Sequence, residues 1–256
     1  MHKFKRYLEL LFFITMRQIK VRYKQTVLGV GWAVLRPFLT MIVFTVVFSK
    51  FARIPSDGIP YPIFSYSALL PWTFFAASLT SAVSSIVGNA NLIKQIYFPR
   101  EILIFASVLA GLFDLAVASV IFIFMLVFYR VPVTAQMLYV FPLLLLMVIL
   151  VLGISFLLAA LNVYYRDIEG ILSFGIQLLM FGSPIVYSIN SIPLKYKFWY
   201  MLNPISVIID GFRRTIIQGV APQFEYLGIS AVVILAIFIG AYFLFKRAEI
   251  NFADVV

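Results

Sequence analysis

Side chains able to do chemistry are few in this chain, and they stand far apart. Its 256 residues include 10 acids, one histidine and no cysteine. His2 lies at the N-terminal end, where it supports neither an acid–base pair nor a metal cluster. Without cysteine, disulfides and thiolate metal sites drop out, and no compartment is selected. The sequence holds no G-x-x-x-x-G-K-S/T phosphate cradle, no H-E-x-x-H, no G-x-S-x-G and no cluster of acids at metal-ligand spacing. The expectation is a chain with no catalytic residue, no metal and no cofactor of its own. Any energetic work it does must be driven from elsewhere.

The polar residues worth weighing sit instead in apolar surroundings. Asp114 is the one acid embedded within a long apolar run. An intramembrane ionisable group is a functional candidate by default; an Asp that fixes a helix–helix contact is the equal alternative. Phe74, Ser78, Ser81 and Ser85 recur at i, i+4, i+7 and i+11, which makes one small, polar helical stripe. Such a stripe either packs closely against another helix or faces water. Ser173, Gln177, Phe181 and Ser188 repeat a similar spacing, and Gln177 in the middle of an apolar helix needs a partner or water.

These residues must be positioned by elements that cross a membrane. Hydrophobic residues make up 63% of the chain and charged residues only 12%, against ~25% charged in an ordinary soluble domain. A spanning helix needs ~20 apolar residues. Five long stretches qualify: Gly58–Ile93, Ile102–Tyr129 around Asp114, Val131–Tyr165, Gly170–Leu194 and Tyr226–Phe245. A sixth runs from Thr26 to Ser49 around Arg36, with Pro37 opening its main part. None shows the polar face of a soluble helix, and Leu143–Leu152 lacks the alternation of a membrane barrel strand. The expected fold is all-α and integral to the membrane: six transmembrane helices in one domain over residues 1–256. The apolar run Leu10–Ile14 is short and leads into basic residues, so no cleavable signal peptide is expected.

The formal charge of +10 is placed for orientation and does not point to nucleic acid. Lys3, Lys5, Arg6, Arg17, Lys20, Arg22, Lys24, Arg36, Lys94, Arg100, Arg166, Lys246 and Arg247 fall on one side of six spans, thirteen in all. Lys50, Arg53, Arg130, Lys195, Lys197, Arg213 and Arg214 make seven on the other. Basic residues concentrate in cytoplasmic segments, so both termini are expected in the cytoplasm.

Three segments outside the spans carry pattern of their own. Residues 3–21 read as an amphipathic helix on the inner membrane surface, with Phe4, Leu8, Leu11, Phe12, Thr15 and Ile19 on one face and basic residues opposite. Residues 89–101 present Leu92, Ile93, Ile96 and Phe98 to the cytosol, closed by Pro99. They suit docking into a partner's groove or, equally, a helical turn lying on the bilayer. Residues 195–225 are too short and too broken by Asn203-Pro204 to form a seventh span. They read as two short helices dipping into the outer face, or as an interfacial loop. Lys195, Lys197, Arg213 and Arg214 there could meet anionic headgroups or a lipid diphosphate, or simply snorkel.

Six motifs in order resemble a known family over nearly the whole chain. Arg22-Tyr-Lys-Gln-Thr-Val-Leu-Gly29 with Trp32, Leu35 and Pro37 is similar to the opening signature of the membrane subunits of ABC polysaccharide exporters. Leu70-Pro-Trp-Thr-Phe-Phe75, Asn91-Leu-Ile-Lys-Gln-Ile-Tyr-Phe-Pro-Arg-Glu101, Tyr164-Tyr-Arg-Asp167, Ser183-Pro-Ile-Val-Tyr187 and Asn203-Pro-Ile205 with Arg213 continue it. The likeness is closest to O-antigen and teichoic-acid exporter permeases, with Gln95 standing where the family often has a second Lys. The resemblance implies a type-2 ABC exporter half in a bacterial inner membrane. Two copies would form a pore, and two separate nucleotide-binding subunits, carrying the Mg-ATP, would dock from the cytoplasm. It implies an ATPase-coupling role for Asn91, Leu92, Lys94, Tyr97, Phe98, Pro99, Arg100 and Glu101. Arg22, Tyr23, Gly29 and Trp32 would form the interface motif, and Asn203, Pro204, Asp210, Arg213 and Arg214 the outer gate. The substrate would be a lipid-linked polysaccharide. For a threading sugar chain, Phe74, Ser78, Ser81, Ser85, Gln177, Phe181 and Tyr187 are the candidates for the pore wall, because aromatic faces and hydroxyls bind sugars weakly. Small-molecule efflux within the same fold, and an ion-coupled carrier or passive channel, are the competing readings.

Overall fold

The computed structural model describes residues 2–24 and 26–252, and every regular element among them is helical. Helix α1 covers His2–Tyr23 and α2 covers Gly31–Phe44, which continues through a π-helical turn at Thr45–Phe51. Then come α3 (Tyr61–Ser84), the short α4 (Ala90–Gln95), α5 (Glu101–Phe128) and α6 (Val140–Tyr164). The remainder is α7 (Ile168–Phe181), α8 (Leu194–Met201), α9 (Pro204–Arg213) with a π turn at Arg214–Gln218, and α10 (Phe224–Ala248).

Helix α3 is the hub. Small and aromatic residues alternate around it, and it is the most buried of the long helices, from Tyr61 to Val83. Its neighbour α5 carries Ala106, Ser107, Ala110, Gly111 and Ala118 on the buried side. Small residues at membrane depth let backbones approach, since lipid supplies no hydrophobic drive between helices. Gly111 makes the reason concrete: a Cβ there would fall 1.8 Å from Ser78 Oγ and 3.4 Å from the Phe74 ring. Gly153 does the same for α6 against α10, where a Cβ would sit 3.0 Å from the Phe238 Cα.

Among the described residues, five helical segments are long and apolar enough to cross a bilayer: Gly31–Phe51, Tyr61–Ser84, Glu101–Phe128, Ala135–Tyr164 and Phe224–Asn251. The expected stretch Gly170–Leu194 differs. Its helix α7 has 14 residues, about 21 Å at 1.5 Å per residue, short of a ~30 Å hydrocarbon core. Gly182 ends it, and Pro184 cannot continue a helix because it lacks an N–H and crowds the residue before it. The chain instead runs irregularly through Ser183–Val186, all buried against protein, the setting in which non-helical backbone is tolerated at membrane depth.

Helix α1 also has more structure than one amphipathic face. Tyr7, Leu10, Ile14 and Gln18 lie along one protein-facing line against α5, with Ile14 buried and Gln18 Nε2 donating to the Leu103 carbonyl at 3.5 Å. Phe4, Leu8 and Phe12 stay exposed, leaving an apolar edge for lipid.

The α6–α10 contact yields a first prediction. Gly153→Val forces a branched side chain into the Phe238 backbone and should cost about 2 kcal/mol. Thermal unfolding in detergent should show Tm falling by about 5 °C. Gly240→Ala, whose Cβ meets nothing within 4 Å, should leave Tm unchanged. Equal behaviour of the two variants would refute the close-approach role of Gly153.

Candidate functional site

Three charged clusters lie outside the apolar packing, and each ties a peripheral segment to the frame. The first is at the end of α1. Arg22 forms an ion pair with Asp114, and the Tyr23 hydroxyl donates to the other carboxylate oxygen at 2.5 Å. The second guanidinium nitrogen of Arg22 lies 3.4 Å from Ser81 Oγ. Asp114 thus has two partners, both from a helix some ninety positions earlier. Burial first, then the bond to Asp114, pushes the Tyr23 phenol upward, so it stays a neutral donor. Beside the pair, Gly29 turns the chain toward α2 with φ of +52°, a left-handed value that favours glycine. Trp32 then lies under the Arg36 guanidinium, 5.7 Å from ring centroid to carbon. Arg22, Tyr23, Trp32, Arg36, Trp72, Phe74, Ser81 and Asp114 are among the residues around a cavity of about 660 Å³.

The second cluster is at the start of α5. Glu101 is buried and pairs with Lys246 at the end of α10, while Tyr242 and Tyr7 hydroxyls donate to it at 3.2 and 3.4 Å. Burial, followed by the nearby Glu101 carboxylate, pushes the Tyr7 phenol up to about 12. Lys246 also reaches Glu249 at 2.8 Å. Just before Glu101, the coupling candidates divide by depth. Phe98 and Ile93 are buried anchors, Leu92 and Arg100 are half-buried, and Asn91, Lys94 and Pro99 are exposed. Tyr97 is 92% exposed. A buried Phe beside a fully offered Tyr gives a segment that is held from below and free above.

The third cluster is at the far end of α3. Asn203 caps α9, its side-chain oxygen accepting from the Ile205 N–H at 3.1 Å while its amide reaches Ser183 Oγ at 3.3 Å. Pro204 follows in the first turn, where its missing N–H costs nothing. Arg213 is only 1% exposed. Its guanidinium lies 3.6 Å over the Phe64 ring and donates to the Ile185 and Tyr187 carbonyls at 3.3 and 3.4 Å. Burial pulls its pKa down to about 10, and the carboxylates of Asp210 and Asp57 act the other way, so it remains a cation at neutral pH. Asp210 is buried too, and burial pushes its carboxyl upward. Arg214 Nε donates to the Ala221 carbonyl at 3.2 Å. Of the readings open to Arg213, contact with anionic headgroups or a lipid diphosphate and snorkelling both call for exposure; the side chain is instead buried, with both terminal guanidinium nitrogens on the irregular backbone after α7.

The candidate wall residues do not form one surface within the protomer. Phe74, Ser78 and Ser85 are buried, with Phe74 and Ser78 against Gly111, and Ser81 is half-buried beneath Arg22. Gln177 and Phe181 on α7 are exposed, while the half-buried Tyr187 bonds back to the Phe181 carbonyl at 2.9 Å. Sequence reasoning missed Tyr7, Lys246 and Glu249 as members of the Glu101 cluster, and Asp57, which accepts from Ser188 and from Asn190 at 3.0 Å. The signal for the first was available: opposite charges at span ends on one side of the membrane.

A family model described as "ABC-2 type transporter" matches residues 9–217. The chain is 32% identical over 250 residues to the O-antigen export system permease protein RfbA of Klebsiella pneumoniae, covering 97% of this chain and 95% of the relative. It is 26% identical over 253 residues to the protein of that name from Myxococcus xanthus, covering 98% and 96%. It is 24% identical over 234 residues to the polysialic acid transport protein KpsM of Escherichia coli, covering 89% and 90%.

The α1 anchor is open to a direct measurement. A double-mutant cycle with Arg22→Gln and Asp114→Asn, read by thermal unfolding in detergent, should return a coupling energy of about 1–2 kcal/mol. Strictly additive losses would show that the pair does not hold α1 to α5.

Proposed function

The chain belongs to the ABC-2 type transporter family, and on that premise we propose that it is the membrane subunit of an ATP-driven exporter of lipid-linked polysaccharide. The observation that carries the substrate class is the near full-length likeness to O-antigen export permeases, with 32% identity over 97% of the chain. In this reading the chain carries no catalytic site and no cofactor, and Mg-ATP is hydrolysed by two separate nucleotide-binding subunits. Two copies of the chain form the pore in a bacterial inner membrane.

The residues take roles consistent with their placement. Tyr97, Asn91 and Lys94 offer the exposed surface on which an ATPase can press, over a segment anchored by Phe98. A push there reaches Glu101 and the whole of α5. Arg22 and Tyr23 hold the amphipathic helix against α5, so α1 moves with it. Asn203, Pro204, Asp210, Arg213 and Arg214 belong to the outer gate, with α8 and α9 dipping into the outer membrane face. The sixth crossing is α7 together with the buried Ser183–Val186 segment, which leaves both termini in the cytoplasm. Gln177 and Phe181, exposed on α7, are the wall residues that face the glycan path from this protomer. An exposed amide within an apolar helix is costly against lipid, which favours water or a second copy over hydrocarbon on that face.

Two experiments test the reading. Deleting the gene in its host should abolish surface polysaccharide and leave lipid-linked glycan inside the cell. The wild-type gene should restore export, while Tyr97→Glu should reduce it about tenfold or more without lowering membrane abundance. Normal surface glycan with lost resistance to hydrophobic drugs would select small-molecule efflux instead. Reporter fusions at both termini should register as cytoplasmic; one external terminus would overturn the six-crossing topology.

A further inference from the structure

Resting on that coupling reading, we propose that the C-terminal end of α10, through Ile250, is a second part of the surface on which the ATPase subunit docks. The geometry joins this end to the coupling segment by three polar contacts. The Arg100 N–H donates to Glu249 Oε1 at 2.8 Å, and the Arg100 guanidinium donates to the Glu249 carbonyl at 2.7 Å. Lys246 bridges Glu101 and Glu249. Glu249 is therefore fixed beside Arg100 and Glu101.

Burial says the same. Phe252 is fully buried with its ring 5.5 Å from Phe245, so residues 249–252 pack onto the body of the protein. Between the two clamped residues, Ile250 is nevertheless 76% exposed. Ile96 and Tyr97, a few residues before Arg100 in the chain, are exposed as well. An anchored turn that holds an isoleucine out, tied through Arg100 to the segment that exposes Tyr97, makes Ile250 an extension of the proposed coupling surface. Arg247 and Lys94, also exposed, add positive charge to the same two segments, and protein interfaces combine apolar anchors with polar surroundings in this way. The occupant this continuity selects is the ATPase subunit, which presses on Tyr97; a lipid surface is the competing occupant.

The chain has no native cysteine, which makes the test clean. Ile250→Cys, Tyr97→Cys and Val133→Cys, each labelled with a benzophenone maleimide, are illuminated in the complex with the ATPase subunit that co-purifies with the wild-type chain. Positions 250 and 97 should both cross-link to the ATPase, and position 133, in the α5–α6 loop, should not. Labelling of the ATPase from position 97 but only of lipid from position 250 would overturn this inference and leave the coupling reading standing. Failure at both positions would overturn both. As a second measurement, Ile250→Glu should weaken co-purification of the ATPase about tenfold with Tm unchanged; full retention of the partner would count against the docking role.

Discussion

A charge carried into an apolar solvent must bring its partner with it, and this molecule is organised by that requirement. Where hydrocarbon replaces water, an unpaired ion costs several kcal/mol. Helix α5 meets the condition twice, with Glu101 at its start and Asp114 further along. The first takes Lys246, Tyr7 and Tyr242 as partners; the second takes Arg22 and Tyr23. In each case the partner comes from an element that apolar packing alone would leave free to slide. Small-residue packing on α3 and α5 sets the distance between helices, and the ion pairs set which turn of one faces which turn of the other. Arg213 applies the same rule to backbone. Where Gly182 and Pro184 end α7, the freed carbonyls of Ile185 and Tyr187 receive its guanidinium.

How much of this was legible in the sequence depends on the range of the interaction. Runs of apolar residues are local, so five spanning helices could be read from their length alone. The stretch Gly170–Leu194 read as another span but could not be shaped, because hydropathy continues through Ser183–Val186 while Gly182 and Pro184 stop the helix at Phe181. The amphipathic α1 was visible as a pattern, yet its second apolar line through Tyr7 and Ile14 needed α5 to be in place. The stripe Phe74, Ser78, Ser81 and Ser85 was ambiguous for a physical reason. A face of small polar residues suits tight packing and water equally, and only the approach of Gly111 to Ser78 resolves it into packing. Asp114 showed no partner in the sequence because no local pattern links it to a residue some ninety positions earlier. Its counter-ion comes from the end of an interfacial helix, long enough to reach membrane depth.

The same arrangement gives the family assignment a mechanical content. Glu101 and Asp114 are about 20 Å apart along one helix, so a displacement applied at the proposed coupling segment would be carried by α5 as a body and not relayed through loops. α1 and α10 are clamped to that body by charge, and α3 by close packing. The outer cluster is then reached through α3, whose Tyr66 hydroxyl donates to the Ala118 carbonyl of α5 at 3.1 Å and whose Phe64 ring lies beneath Arg213. Inner and outer clusters are therefore attached to one two-helix frame.

What the frame leaves exposed is as informative as what it holds. Helix α7 buries only Leu172 and turns Gln177 and Phe181 outward. An outward Ile171 or Phe174 is at home in lipid; an outward amide is not, since hydrocarbon offers it no hydrogen bond. Gln18 and Asn203, which lie against protein, donate to groups within the protomer. Gln177 faces away from the body of the protomer, and that is the physical ground for the proposal that water or a second copy, and not hydrocarbon, covers this face of α7.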